Sequence, residues 1–315
     1  MTLRREGSPT ALAMQEPSST GSLAPWARRG LALAISVVCA CAGLALASHY
    51  PLSSTAALAV WVAFAMGCAA WPRFWLVAMP ALLPIIGWAP WSGWITFEEF
   101  DGLVLAAAAA GYGRYAFTPS KPRHGQAQGS GSPLVWLLVA LLAASLATAM
   151  ARGFADAGGF VFGLFQGYRE PMNSVRLAKS LFAALLLFPL WSEQHRQAPQ
   201  QATQCLTLGL VLGLAGAALA TVWERAAFTG LLNFSTDYRT TALFWEMHVG
   251  GAALDGFLGM SVPFLARELL VAQSRRRGLT LGCIALLAAY ACLTTFSRIP
   301  AVAPSRASNT NLLLG

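Results

Sequence analysis

Long uninterrupted apolar runs recur along almost the whole chain, and they constrain its fold more than any other feature. Most have the roughly 17 to 25 residues that a helix needs to cross a bilayer. The runs are continuous rather than alternating, and in lipid only helices or closed barrels satisfy the backbone, so strands are excluded. The sequence therefore predicts an all-α fold, a polytopic transmembrane helix bundle with about nine spans, at 30–48, 53–70, 72–89, 101–116, 133–150, 177–192, 204–222, 242–266 and 278–296.

The polar segments at the two ends set the predicted domain limits. Residues 1–28 are rich in Ser, Pro and Gly and predict a disordered cytoplasmic tail. Residues 29–300 form the transmembrane helical domain, and 301–315 form a short polar C-terminal tail. The arginines before the first run and the Ala45-Leu46-Ala47 stretch at its end also fit a cleavable signal peptide. We favour an uncleaved first span, because many equally apolar runs follow.

Composition excludes a soluble enzyme domain. The chain is 56% hydrophobic and 11% charged, whereas soluble domains carry about 25% charged residues. Its net charge of +8 comes from basic residues in short loops between apolar runs, so we expect membrane lipids and no nucleic acid as partners. The six cysteines lie in or beside apolar runs and form no C-x-x-C pair. We therefore predict packing roles for them, with no metal site and no cofactor.

Basic residues also predict the orientation. Arg28 and Arg29 place the N-terminus in the cytoplasm by the positive-inside rule. Glu98, Glu99 and Asp101 then fall outside. Because the spans alternate in direction, four further basic loops are also predicted to be cytoplasmic. They carry Arg73; Arg114, Lys121 and Arg123; His195 and Arg196; and Arg275, Arg276 and Arg277.

Some cations lie on the predicted outer side, where the positive-inside rule does not explain them. Two predicted outer loops, 151–176 and 223–241, are rich in arginine. Guanidinium groups make bidentate contacts with phosphate oxygens, so these cations suit an anionic lipid head group such as a diphosphate. The cations are Arg152, Arg169, Arg176, Lys179, Arg225 and Arg239, with Arg298 at the outer end of the last span.

Ordinary surface ion pairs are the alternative explanation for part of this set. Such exposed pairs are common and contribute little. They would join Arg152 to Asp156, Arg169 to Glu170, and Arg225 to Glu224. Arg176, Arg239 and Arg298 have no adjacent acidic residue in the sequence.

The predicted span at 242–266 carries three ionisable residues. Glu246 and His248 are placed near its outer end, and Asp255 near the bilayer midplane. An ionised carboxylate there is costly unless it is paired or hydrated. His248 and Asp255 share a helical face, which predicts one polar seam beside the arginines. Two interpretations stay open: a buried polar cluster that fixes helix packing, or a base and a group that orients a substrate hydroxyl.

Several segments resemble bacterial O-antigen ligase/polymerase-like membrane proteins, over about residues 70–300. They are Pro80–Pro84, Ala89–Trp94, Phe97–Asp101, Asn173–Lys179, Arg239 with Phe244–Gly251, and Thr295–Arg298.

The resemblance implies transfer of a glycan from a polyprenyl-diphosphate donor onto an acceptor glycan or glycolipid, at the outer face of the bacterial inner membrane. In that family arginines hold the diphosphate and no metal is needed. It implies that Arg176, Arg239 and Arg298 bind the diphosphate, and Lys179 lies beside them. Glu246 or His248 would accept the proton of the acceptor hydroxyl.

Other functions stay open. The family pattern continues with further spans and a large outer loop, whereas this sequence stops at Gly315, so a truncated, inactive product is one alternative. A transporter of an anionic or lipid-linked solute is another, because intramembrane acids such as Asp255 often mark transport pathways.

Overall fold

The computed structural model describes residues 25–94, 96–118, 133–163, 167, 169–234, 238–244 and 252–295. Within these residues the chain is helical and without strands, as the continuous apolar runs predict. The helices are α1 (Pro25–Ser48), α2 (Ser54–Ala70), α3 (Phe74–Leu82), the single turn α4 (Ala89–Ser92), α5 (Glu99–Phe117), α6 (Pro133–Asp156), α7 (Met172–Gln197), α8 (Pro199–Phe228), α9 (Ala252–Val271) and α10 (Arg275–Thr295).

Five of these helices are long and apolar enough to cross a membrane, which indicates a membrane protein. They comprise most or all of α1, α6, α7, α8 and α10, while α2 is a shorter apolar helix. Many leucines point outwards, and Leu270, Leu279 and Leu286 are 73–88% exposed. Such apolar exposure suits contact with lipid chains and is unusual for a surface in water.

The predicted span at 72–89 is wrong in its length. The helix there, α3, has nine residues and so is about 14 Å long, too short to cross the hydrocarbon layer. Pro84 has no N–H to donate to the carbonyl of Pro80, so the series of helical hydrogen bonds is interrupted there and turns follow at 83–85.

Small residues allow the helices to pack closely. In lipid, helix association depends on close van der Waals contact rather than on release of water. Ala106, Ala107 and Ala108 of α5 are fully buried. On α8, a methyl group at Gly209 would lie 2.5 Å from the carbonyl oxygen of Val77. The α3 and α8 backbones therefore approach each other directly.

Two apolar clusters make up the interior. One joins α1, α2, α3, α5 and α7 with the first turns of α8, and it includes Trp61, Leu76 and Leu103. The other joins α8, α9 and α10 around Leu214, Leu254 and Leu258. The packing of α3 against α8 connects them. Helix α6 lies outside both clusters and packs mainly on α7.

Candidate functional site

One end of the bundle gathers most of the described acidic residues through contacts between helices. Tyr50, which follows α1, donates a hydrogen bond to Glu99 at the start of α5, at 2.8 Å. Lys179, in the second turn of α7, lies 2.7 Å from Asp101 of α5. The end of α1 and the starts of α5 and α7 therefore meet.

The segments before α4 and after α8 lie at the same end. A methyl group at Gly87 would lie 2.9 Å from the carbonyl oxygen of Leu243. Tyr290, near the end of α10, donates a hydrogen bond to the carbonyl of Leu231 at 2.7 Å. We call this the mixed-charge end; its described charged residues are Glu98, Glu99, Asp101, Arg152, Asp156, Arg169, Glu170, Arg176, Lys179, Glu224, Arg225, Arg239 and Asp255.

The opposite end is strongly basic. Arg114, near the end of α5, donates to the carbonyl of Ala69 at the end of α2. Gln194, near the end of α7, reaches the carbonyl of Pro72. We call this the basic end; its described charged residues are Arg28, Arg29, Arg73, Arg114, Glu193, Arg196, Arg267, Glu268, Arg275, Arg276 and Arg277.

Lys179 forms ion pairs with two carboxylates. Its ammonium lies 3.3 Å from Glu98 as well as 2.7 Å from Asp101. Asp101 also accepts the backbone N–H of Glu98 at 2.8 Å, which secures the start of α5. The Lys179 side chain is 18% exposed, so this cluster fixes α7 against α5 in a partly dehydrated position.

Three arginines that were predicted to lie in outer loops lie on helices instead. Arg152, Arg176 and Arg225 lie on helices α6, α7 and α8 rather than in loops, because these helices extend beyond the predicted spans. Arg176 donates from Nε to the side-chain oxygen of Asn173, one turn earlier, at 3.0 Å. The geometry holds its guanidinium along α7 on the mixed-charge end.

Arg239 forms an ion pair with Asp255 that the sequence did not suggest. The side chains are 25% and 22% exposed, respectively. Arg239 therefore has an acidic partner sixteen positions away, although none is adjacent. Among the described residues, the Nε of Arg239 and the second carboxylate oxygen of Asp255 are buried without a hydrogen-bond partner.

The predicted start of the 242–266 span is wrong. Residues 242–244 form a turn and coil, and the described helix begins at Ala252. Asp255 lies in the first turn of the described part of α9, and its depth in the membrane stays a prediction because residues 245–251 lie outside the described residues. At this position it meets the loop cation Arg239.

Glu224 is a polar residue of this end whose role the sequence did not show. A surface ion pair with its neighbour Arg225 was one alternative from the sequence. Both are buried, but Glu224 accepts from Tyr238 and Ala242, at 2.6 Å each, while Arg225 donates to the carbonyl of Asn233. Burial and the nearby carboxylate raise the pKa of Tyr238 to about 12, so its hydroxyl stays protonated and donates at neutral pH.

Three predicted site residues lie outside the described residues: Glu246, His248 and Arg298. The shared seam of His248 and Asp255 therefore stays a prediction. Across the described parts of the chain, no group of three or more His, Cys, Asp or Glu side chains is arranged to hold a metal ion.

Comparisons with known proteins do not place the chain in a family. No family model matches it, and neither a curated protein nor a solved structure matches it.

Proposed function

We propose that the mixed-charge end binds the diphosphate of a polyprenyl-linked glycan, and that the chain is a glycan ligase/polymerase-like membrane protein. The observation that carries this proposal is the gathering of Arg176, Lys179 and Arg239 at one end of the bundle. These residues come from two separate parts of the sequence, on α7 and before α9.

The charge distribution supports an outer position for this end. The described basic end has nine Arg residues and two acids, whereas the mixed-charge end has six Arg or Lys and seven acids. The positive-inside rule places the basic end in the cytoplasm. In the topology of the proposal the N-terminus is cytoplasmic and α4 does not cross. The chain passes from the basic end near Pro72 to the mixed-charge end near Gly87 through α3 together with the turns that follow it. The chain then resides in the bacterial inner membrane, with the mixed-charge end outside.

Arg239 is the strongest diphosphate ligand in this scheme. A guanidinium has five N–H donors in a planar fork, and one nitrogen of Arg239 contacts Asp255. Its Nε is buried without a hydrogen-bond partner among the described residues, so the donors that a phosphate can reach are on the terminal nitrogens. Pairing with Asp255 holds the guanidinium in place without using all its donors, so a phosphate can be gripped in bidentate fashion.

The chemistry is displacement at the anomeric carbon of the donor sugar. The oxygen of the acceptor hydroxyl forms a new bond to that carbon as the bond to the diphosphate oxygen breaks. The electron pair leaves with the diphosphate, whose growing charge the arginines stabilise. The hydroxyl proton passes to Glu246 or His248, which lie between Arg239 and α9 in the sequence.

The transporter alternative is less well supported. It depends on Asp255 as an intramembrane acid, and Asp255 is paired with Arg239. An acid that is neutralised by an arginine is weaker support for a path through the bilayer than an unpaired acid.

The proposal is tested by lipid binding to the purified chain in nanodiscs. Native mass spectrometry compares a polyprenyl diphosphate with the matching monophosphate. We expect preference for the diphosphate and a loss of about tenfold in Arg239→Lys, where charge remains but the fork is lost. Arg196→Lys, at the basic end, is the matched control and should bind like wild type. Equal binding of the two lipids, or an Arg239→Lys variant that binds like wild type, would overturn the proposal.

A further inference from the structure

A buried carboxylate organises the segment that carries Arg239. Glu224 lies near the end of α8 and is 4% exposed. A carboxylate at this depth is costly unless hydrogen-bond donors surround it. Glu224 meets that need with donors from one short segment that begins fourteen residues later.

The donors lie on both sides of Arg239. Before it, the Tyr238 hydroxyl donates to Oε1 at 2.6 Å. After it, the backbone N–H of Thr241 donates to Oε2 at 3.1 Å and that of Ala242 at 2.6 Å. The carboxylate therefore fixes the chain at positions 238 and 241–242, with Arg239 between them.

The backbone of the segment needs such support. Ala242 has φ +53, a left-handed conformation that non-glycine residues adopt rarely. Its N–H points to Glu224 in this conformation. The loop upstream is also tied to α8, because Arg225 donates to the carbonyl of Asn233. The end of α8 thus holds the loop at several points.

We propose that Glu224 is a positioning residue for anion binding: its carboxylate sets the path of segment 238–242 so that Arg239 meets both Asp255 and the phosphate. This inference rests on the function proposed above. Glu224 itself touches no substrate, since its oxygens are occupied by the loop donors.

The carboxylate is required because both of its oxygens accept. Oε1 faces the Tyr238 hydroxyl and Oε2 faces two backbone N–H groups. In Glu224→Gln one oxygen becomes an NH2 group. This group is itself a donor, so it would face the hydroxyl or N–H donors of the segment instead of accepting from them. We expect the segment to detach from α8 while the helix bundle keeps its fold.

The first test is hydrogen exchange of the peptide that covers 238–244, in the purified full-length chain. Glu224→Gln should exchange faster there than wild type. Glu170→Gln is the matched control, because it removes the same charge from an exposed glutamate at the same end. Unchanged exchange in Glu224→Gln would overturn the inference, whatever the lipid result.

The second test separates positioning from a general loss of stability. We expect Glu224→Gln to weaken polyprenyl-diphosphate binding about tenfold. In the double variant with Arg239→Lys, binding should stay within about twofold of Arg239→Lys alone, because both changes act on one interaction. If the losses of affinity from the two single variants multiplied in the double variant, Glu224 would not act on binding through Arg239.

The two proposals fail in different ways. If wild type shows no preference for the diphosphate, the proposed function is wrong, and the role of Glu224 in anion binding falls with it. The exchange result still decides whether Glu224 fixes the segment. If wild type prefers the diphosphate and Glu224→Gln binds it equally well, only the positioning role is wrong.

Discussion

The two ends of the bundle use charge differently. At the basic end, Arg277 pairs with Glu268 across the short α9–α10 connection; the Arg277 side chain is 60% exposed, although that of Glu268 is 16% exposed. At the mixed-charge end, Arg239 and Asp255 are 25% and 22% exposed, and Lys179 is 18% exposed. Exposed arginines orient a membrane chain without needing partners. Partly buried charges need compensation, so at the mixed-charge end charge also determines how helices and loops fit together.

We expect the largest difference in stability between two variants that each remove one acidic side chain, one at each end of the bundle. Asp255→Asn leaves Arg239 partly buried without its counter-ion, and we expect a loss of about 2 kcal/mol in stability. Glu268→Gln leaves an exposed arginine and should cost no more than about 0.5 kcal/mol. Thermal unfolding in detergent measures both, with shifts of about 5 °C and about 1 °C expected. Equal shifts would mean that the two ends do not differ in this way.

A substitution in the middle of the bundle, away from both charged ends, tests helix packing without changing any charge. Gly209→Ala places a methyl group against the Val77 carbonyl, and we expect a loss of about 1–2 kcal/mol from overpacking. Gly259→Ala on α9 is the control, because a methyl group there meets nothing within 4 Å. The same unfolding assay applies. If Gly209→Ala is as stable as its control, α3 and α8 do not pack as closely as described.

A smaller difference is expected between two cations that bridge helices. Lys179→Met removes contacts with Asp101 and Glu98, and we expect a loss of about 1 kcal/mol. Arg114→Met removes one exposed contact with the Ala69 carbonyl and should cost a few tenths, about 0.3 kcal/mol. Chemical denaturation in mixed micelles compares the two. If Arg114→Met lost more stability than Lys179→Met, the basic end rather than the mixed-charge end would hold the cation that matters more for stability.

Helices were predictable from the sequence, because long apolar runs leave a chain in lipid few other ways to satisfy its backbone. The limits of α2, α5 and α10 lie within a few residues of the predicted runs. The short α3 was not foreseen, because its hydropathy continues past the point where Pro84 interrupts the hydrogen bonds. Hydropathy measures composition and is insensitive to a single missing donor.

The polar contacts were less predictable. Neighbours in a helix point about 100° apart, so Glu224 and Arg225 meet different partners although they are adjacent. Arg239 pairs with Asp255 sixteen residues later, and the separation along the chain does not indicate this contact. The sequence did identify Arg176, Lys179 and Arg239 as cations of one end, because alternation of the spans alone brings their segments together.

The orientation of the two ends is the central claim, and side-specific labelling tests it most directly. In a chain with its six cysteines replaced by serine, one new cysteine is placed at Leu232→Cys, where the native side chain is 84% exposed at the mixed-charge end. Another variant carries Gln273→Cys at the basic end, also exposed. A membrane-impermeant maleimide added to intact cells, with the outer membrane opened, should label Leu232→Cys at once and Gln273→Cys only after the inner membrane is permeabilised. The reverse pattern, or equal labelling of both before permeabilisation, would contradict the account.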